Sequence, residues 1–416
     1  MPKYSIIIPT YNGMPYIKAC VNTIINQKYD DYELIISDDH STDGTAEYID
    51  SLSSKRYVTV LHCPQRMSMA EHWEWALQHA NGEWQMFVGQ DDGLQPYFFK
   101  AADKLTSIAE NKHLKAIMSE RAYYYWKGVE ELYGETRVSY IARCSYGIKN
   151  SVRELKSALF HKGKAYFDLP EMYTTAFFHK DIIEKAKSLQ NGKIFITHPQ
   201  DANLAALCCI LEKKYLYSYV PLGWVGSSVK SAGYATTIGT RDSVNDDMMQ
   251  LKEYYDKYQK SIEESNLCVS DNTGYYLLFN THTCFWNAVV LVNDMIRNRK
   301  FSFISKKTTA YKIVSVIIQE LDFNKITKFD SCALTELIKR NKLNVYFLAL
   351  FIILEKFNQI IIRKKDICRK YIDMIISKLF SISMSQYITN EDISLENANL
   401  MITNLVDKEI QKFLKR

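Results

Sequence analysis

Short apolar strands alternate with amphipathic helices over the first ninety residues. A β-branched run at 4–8 ends at Pro9, and apolar residues then recur at helical spacing over 17–25. Further strands are expected at 33–37, 57–62 and 84–88, with helical segments at 44–54 and 69–80 between them. Strands joined by helices of this length build a mostly parallel sheet with helices on both faces. We therefore predict a Rossmann-like α/β domain whose ligands bind at the carboxyl ends of the strands.

The character of the sequence changes near residue 250. From there to the C terminus the chain has one Gly and no Pro, and its long Ile-, Leu- and Lys-rich segments have helical periodicity. A chain of 416 residues also exceeds the length of one average domain. We expect an α/β domain over 1–245, followed by a mostly α-helical domain over 246–416.

Three polar loops follow predicted strands, at 9–13, 38–44 and 89–93. Two of them contain adjacent carboxylates, Asp38-Asp39 and Asp91-Asp92. Adjacent carboxylates raise each other's pKa, so such pairs need a cation or hydrogen-bond donors nearby. Hard oxygen ligands suit Mg²⁺ or Mn²⁺ holding a diphosphate. The alternative is that these Asp and Gly residues only cap helices and form turns.

The segments YSIIIPTYNG, ELIISDDHSTDGT and NGEWQMFVGQDD resemble those of the family 2 inverting glycosyltransferases, which have the GT-A fold. The resemblance extends over about 3–230 and implies a nucleotide-sugar donor, with uridine the expected base. It implies that Tyr11 lies against the base and that Asp39 accepts a hydrogen bond from the ring N–H. The same nucleotide site would include the residues Pro9, Thr10, Asp38 and Asp91.

The resemblance also implies a divalent cation, Mn²⁺ or Mg²⁺, bound by the third loop. Asp91 and Asp92 would bind the ribose and this metal. The commonest family motif has an Asp two residues before Asp91, where this sequence has Gly89. That departure puts the exact set of metal ligands in question.

Asp201 matches the position of the family's general base, at the start of an apolar helix about a hundred residues beyond the metal loop. The alternative is a first-turn Asp that is favoured by the helix dipole. His198 is a second candidate base, or a loop residue.

Two basic residues are candidates for contacts with the donor. Arg66 precedes the helix at 69–80, and Lys230 lies in a Ser- and Gly-containing loop that could fold over phosphates; the alternative for each is a solvated charge. The aromatic residues at 123–126 and Trp224 would line the acceptor site or form buried strands.

Charge is unevenly distributed along the chain. From Arg297 to the C terminus, 22 Lys and Arg residues face 12 Asp and Glu residues, a net charge of +10. Apolar and basic residues over 344–371 suit a helix on a membrane surface, or a soluble helical domain with a basic rim. Nucleic acid is not an expected partner, because no binding motif accompanies the charge.

The nine cysteines have no disulfide or metal-type spacing, and no stretch reaches the length of an apolar membrane span. These features favour a cytoplasmic protein, at the inner face of the membrane if the basic segment binds lipid. Taken with the resemblance, they lead us to expect an inverting, metal-assisted glycosyltransferase. It would act from a UDP-sugar on a glycan or lipid-linked glycan, as in O-antigen or capsule synthesis. The alternative is a non-catalytic nucleotide-sugar-binding module with a degenerate metal site.

Overall fold

The structure is a computed structural model. It describes residues 1–197, 199–231, 234, 269–271, 274–276, 281–296, 303, 306–320, 334–335, 337–339, 341–357, 360–361 and 384–415. The strands are β1 Tyr4–Thr10, β2 Tyr32–Asp38, β3 Val58–His62, β4 Trp84–Phe87, β5 Gly93–Leu94, β6 Ala116–Ser119, β7 Ala122–Tyr125, β8 Val138–Arg143, β9 Tyr146–Asn150, β10 Ala176–His179, β11 Lys214–Ser218, β12 Gly223–Ser227, β13 Val269–Asp271, β14 Gly274–Tyr276 and β15 Met384–Thr389. The helices are α1 Tyr16–Ile25, α2 Thr45–Asp50, α3 Met69–Leu77, α4 Phe98–Asn111, α5 Glu130–Tyr133, α6 Ser151–Phe160, α7 Lys180–Leu189, α8 Gln200–Leu211, α9 Thr281–Ile296, α10 Lys307–Glu320, α11 345–357 and α12 Leu395–Lys415.

The main sheet has eight strands in the order β3-β2-β1-β4-β10-β6-β11-β9. Its first four strands are parallel, as the strand–helix alternation predicts. The strands β10 and β9 run antiparallel to their neighbours, so the sheet is mixed beyond β4. Apolar residues on both faces of β1 and β2 are buried, because helices cover the sheet on each side.

A second sheet of five strands, in the order β15-β8-β7-β12-β5, lies beside the third polar loop. Its strand β5 follows that loop directly and pairs with β12. The second sheet therefore fixes the acidic residues from the side opposite β4.

The described residues of the C-terminal part are mostly helical, in agreement with the sequence, but they share cores with the α/β part. Strand β15 pairs along its whole length with β8. Helix α12 buries an apolar stripe in the same core as α1 and α4, and α9 packs against α8. The division into two domains at residue 245 remains a prediction, and contacts between the two parts extend across it.

Within the described ranges, no helix is both long and apolar enough to cross a bilayer.

Candidate active site

The three polar loops meet at one edge of the main sheet, because β2, β1 and β4 are parallel neighbours that end together. The backbone N–H of Asp39 donates to the Thr10 carbonyl at 3.0 Å. Thr10 Oγ1 donates to Gln90 Oε1 at 2.6 Å, and the Tyr11 N–H donates to the same oxygen at 3.2 Å. Gln90, which the sequence did not single out, thus ties the first loop to the third.

The residues predicted to bind the base lie together. The Arg66 guanidinium is 3.6 Å from the centroid of the partly exposed Tyr11 ring and forms an ion pair with Asp39. The Met67 N–H donates to Asp39 Oδ1 at 3.1 Å. Both oxygens of Asp39 are therefore engaged by protein groups, and a base that stacks on this face of Tyr11 must displace Arg66.

Asp38 is buried at the end of β2, directly opposite Thr10 in the paired β1. Its Oδ2 accepts from the Ser41 N–H at 3.1 Å and so shapes the second loop. Its Oδ1 is buried and has no hydrogen-bond partner among the described groups. An unsatisfied buried acceptor of this kind suits a donor group of a bound nucleotide.

Asp92 is held by the protein through both carboxylate oxygens. Oδ1 accepts from the Gly226 N–H at 2.6 Å, and Oδ2 accepts from the Gly89 N–H at 3.0 Å and from the Thr174 hydroxyl. Burial, with the charge of Asp91, raises the pKa of Asp92 to about 7. These hydrogen bonds fix the shape of the acidic loop and occupy part of the acceptor capacity of Asp92, and metal binding by Asp92 stays a prediction.

Asp91 has a different environment. Two serine hydroxyls, of Ser228 at 2.7 Å and of Ser231, donate to its Oδ2. Oδ1 accepts no hydrogen bond from the described side chains. Burial raises the pKa of Asp91, and the two serine hydroxyls oppose that shift.

A metal bound at the acidic loop would need ligands beyond the carboxylates of the protein. Among the described residues no group of three or more His, Cys, Asp or Glu side chains could hold a metal ion by itself. Mg²⁺ and similar cations are commonly bound through one or two carboxylates together with substrate phosphates. Asp91 therefore fits a cation shared with a diphosphate and does not fit a cage built by the protein alone.

The loop that follows β12 connects all three polar loops. Lys230 Nζ donates to the carbonyl oxygens of Asn12 at 2.7 Å and of Met14 at 2.9 Å, and to Asp43 Oδ2 at 3.1 Å. Its neighbours Ser228 and Ser231 bond to Asp91. The structure thus places Lys230 at the nucleotide loops, and its contact with phosphate stays a prediction.

Asp201 lies in the first turn of α8, where its Oδ1 accepts from the Ala202 N–H at 2.9 Å. Burial raises its pKa to about 6, against the opposing effects of the Ala202 N–H and of Arg121. The charges of Asp201 and of Asp92 both raise the pKa of Tyr173, after burial as the main cause. Tyr173 is therefore close enough to both carboxylates to feel their charges, which brings Asp201 near the acidic loop. His198 lies outside the described residues.

Residues 5–161 match the model of the family described as glycosyl transferase family 2. This region is a family 2 glycosyltransferase domain. A glycosyltransferase of Haemophilus influenzae is 35% identical over 106 residues, which are 25% of this chain and 40% of that protein. The "GalNAc(5)-diNAcBac-PP-undecaprenol beta-1,3-glucosyltransferase" of Campylobacter jejuni is 32% identical over 96 residues, 23% of this chain and 31% of that protein. The chain therefore spans less than half of these relatives' lengths.

Among solved structures, TarS residues 1–349 of S. aureus in complex with UDP-GlcNAc matches 82% of this chain and 89% of that chain. The TM-score is 0.45 and the sequence identity is 15%. The assignment of the glycosyltransferase domain rests on the sequence match and on the sheet described above.

The glycosyltransferase domain departs from the commonest family motif at Gly89 for a steric reason. A Cβ at this position would overlap Tyr173 Oη and lie 2.7 Å from Asp92 Oδ2. Tyr173 is fixed beside Phe87 by a β-bridge and stacks on Trp73. The space that an Asp side chain would need is therefore filled by the tyrosine.

We expect Gly89→Ala to lower donor turnover by about tenfold or more, because displacing Tyr173 and Asp92 misplaces the acidic loop. Removing the tyrosine hydroxyl in Gly89→Ala/Tyr173→Phe should restore part of the loss. The matched control is Gly147→Ala, where an added Cβ would meet nothing closer than 3.7 Å. Turnover and melting temperature measure the effect, and full activity of Gly89→Ala would contradict it.

The structure also reveals a buried ion pair that sequence reasoning missed. Arg121, which follows β6, pairs with Glu171, fifty residues later in a loop; Glu171 is buried and Arg121 is partly buried. Burial raises the pKa of Glu171 while Arg121 opposes the shift, and the charges of Asp201 and Asp92 also act on Glu171. Burying an ion pair is costly, which favours a role in the candidate site over one in stability alone. No motif in the sequence marks these two residues.

Of the two alternatives for the aromatic residues, the structure favours the buried strand at Trp224. Trp224 is fully buried in β12, and its Nε1 donates to Asn399 Oδ1 of α12 at 2.7 Å, so it is a core residue. The run at 123–126 forms β7 and the residue after it. There Trp126 Nε1 donates to the Asp91 carbonyl at 2.8 Å, so this indole supports the acidic loop.

Proposed function

We propose that this protein transfers a sugar, with inversion, from a UDP-sugar to a hydroxyl group of a glycan or lipid-linked glycan. The observation that carries the proposal is the nearness of Asp201 to the acidic loop, both acting on Tyr173, beside a family 2 glycosyltransferase domain. The acidic loop offers groups for a nucleotide diphosphate. Asp201 offers a carboxylate whose raised pKa suits a general base near neutral pH.

Uridine is the proposed base because its ring carries an N–H that can donate to a carboxylate. Asp39 provides that acceptor beside the Tyr11 ring, once Arg66 has moved from it. Cytosine has an unprotonated nitrogen at the corresponding position, and Asp39 could not accept from it.

In the transfer, Asp201 takes the proton of the acceptor hydroxyl as its oxygen bonds to the anomeric carbon. The bond between that carbon and the diphosphate breaks, and UDP leaves with the electron pair. A divalent cation held by Asp91 would neutralise charge on the departing diphosphate. Lys230 and the hydroxyls of Ser228 and Ser231 keep the loop after β12 closed over the acidic loop.

We also propose a location at the inner face of the cytoplasmic membrane, where a lipid-linked acceptor would be available. The support is the basic C-terminal segment, with its net charge of +10 from Arg297 onward.

Hydrolysis of a panel of nucleotide sugars, with and without Mn²⁺, tests the proposed function. We expect UDP-sugars to be turned over in a metal-dependent manner and other nucleotide sugars to be turned over poorly. Tight binding of UDP without turnover of any donor, with or without glycan acceptors, would instead support a non-catalytic nucleotide-sugar-binding module.

A further inference from the structure

Helix α11 (345–357) exposes a continuous apolar surface. Its inner side is anchored by Leu348 and by Glu355, which pairs with His161 at 3.2 Å. Its outer side exposes large apolar side chains, such as Tyr346, which is 84% exposed, and Phe357, which is 62% exposed. Ile360 and Ile361, which follow the helix, are also exposed. The outer residues are Val345, Tyr346, Phe347, Leu350, Ile353, Leu354, Phe357, Ile360 and Ile361. A patch of this size on a soluble surface marks an interaction site.

A cavity of roughly 550 Å³ adjoins this apolar surface, and its lining includes three Lys or Arg side chains beside Glu154 and Glu355. Phe351 and Leu354 of α11 form one wall, and Arg153, Lys156 and Lys312 from α6 and α10 lie on the others. Arg153 pairs with Glu154 at 2.9 Å. Among the described residues no carboxylate pairs with Lys156 or Lys312; each ammonium group instead lies over a phenylalanine ring.

Exposed Lys342 and Lys356 add further positive charge at the two ends of α11. The combination of an apolar stripe with a cationic border matches the chemistry of a helix lying in the headgroup region of a bilayer. Self-association through this face would bring the same lysines of two copies together, which like-charge repulsion disfavours.

We propose that the outer face of α11 docks on an anionic phospholipid surface. The apolar side chains insert among the acyl chains, and the cavity with Lys156 and Lys312 receives a lipid phosphate. This inference does not depend on the sugar-transfer chemistry, because no residue of the α11 face belongs to the nucleotide site.

Co-sedimentation of the full chain with vesicles tests the proposal, using phosphatidylcholine alone or with about 30% phosphatidylglycerol at low salt. We expect the wild type to bind the anionic vesicles. Ile353→Ser/Phe357→Ser should weaken binding by about tenfold or more, because two large apolar side chains are lost. The matched control is Ile148→Ser/Ile388→Ser, which removes two exposed isoleucines elsewhere on the surface and should bind normally.

The charge component has its own pair of variants. Lys156→Gln/Lys312→Gln should lose several-fold in affinity for anionic vesicles only, and the difference should shrink as salt rises. Lys55→Gln/Lys185→Gln removes the same charge at exposed sites away from α11 and should have little effect.

Three results would overturn the proposal. One is a wild type that ignores anionic vesicles, and another is normal binding by the folded apolar variant. The third is a lipid-free dimer that Ile353→Ser/Phe357→Ser dissociates, since a second copy of the chain would then cover the face. Calorimetry with UDP should give the same affinity for every variant, so a failure here is distinguishable from a failure of the proposed activity.

Discussion

Replacing Asp201 with Asn will lower kcat for sugar transfer by about 10²–10⁴-fold, the usual contribution of a general base. Asn keeps the size of the side chain and can still accept from the Ala202 N–H, but it cannot take a proton. Donor KM and UDP affinity should change little, because the nucleotide groups come from other loops. A fall in kcat with an unchanged donor KM is the sign of an interaction made only in the transition state.

The pH dependence provides a second measurement of the same role. The pKa of Asp201 is raised to about 6, so the carboxylate forms as pH rises through that value. We therefore expect wild-type kcat to increase with pH up to about 6 and then to level off. The kcat of Asp201→Asn should show no such increase with pH.

The matched control is Asp181→Asn, which changes another first-turn Asp, in α7, that pairs with Lys115 at 2.6 Å. It loses the favourable interaction with the helix dipole and should keep full activity. Normal kcat in folded Asp201→Asn would remove Asp201 from the mechanism and make His198 the next residue to test.

The sequence predicts those parts of the site that depend on the spacing of apolar residues within single strands and helices. The alternation of strands and helices over 4–88 fixes which loops follow β1, β2 and β4, and the structure confirms these elements within a few residues. Parallel strands end at the same edge, so the meeting of Tyr11, Asp39 and Asp91 follows from the pattern. The family match over 5–161 covers the same region.

The other parts of the site and of the fold depend on contacts between residues far apart in sequence. Asp91 and Asp92 are equivalent in the sequence and differ only because Thr174 and the Gly226 N–H arrive from segments more than eighty residues away. The pairing of β15 with β8 joins segments about 240 residues apart, which no local periodicity can indicate. Trp224 was ambiguous because a strand of five residues gives too little alternation to separate a buried face from a binding face.

The difference between the two acidic residues leads to the last prediction. Asp91→Asn should reduce the Mn²⁺-dependent part of UDP-sugar turnover by about a hundredfold or more, since a bound cation contributes several kcal/mol at the leaving group. The fold should be preserved, because an Asn carbonyl oxygen can still accept from Ser228 and Ser231. Calorimetry of UDP with and without Mn²⁺ should show that the metal no longer strengthens binding.

Asp92→Asn should behave differently, because its two oxygens accept from protein donors on both sides. The Asn side chain has an acceptor oxygen on one side only. Its NH2 group would therefore point at another donor, either the Gly226 N–H or the Gly89 N–H. An unsatisfied buried donor costs about 1–3 kcal/mol, and we expect a lower melting temperature together with weaker activity. The two variants therefore separate a metal ligand from a scaffold residue by melting temperature and metal dependence measured side by side. If Asp92→Asn keeps its stability but loses the effect of Mn²⁺, while Asp91→Asn retains it, then the assignment of the metal to Asp91 is reversed.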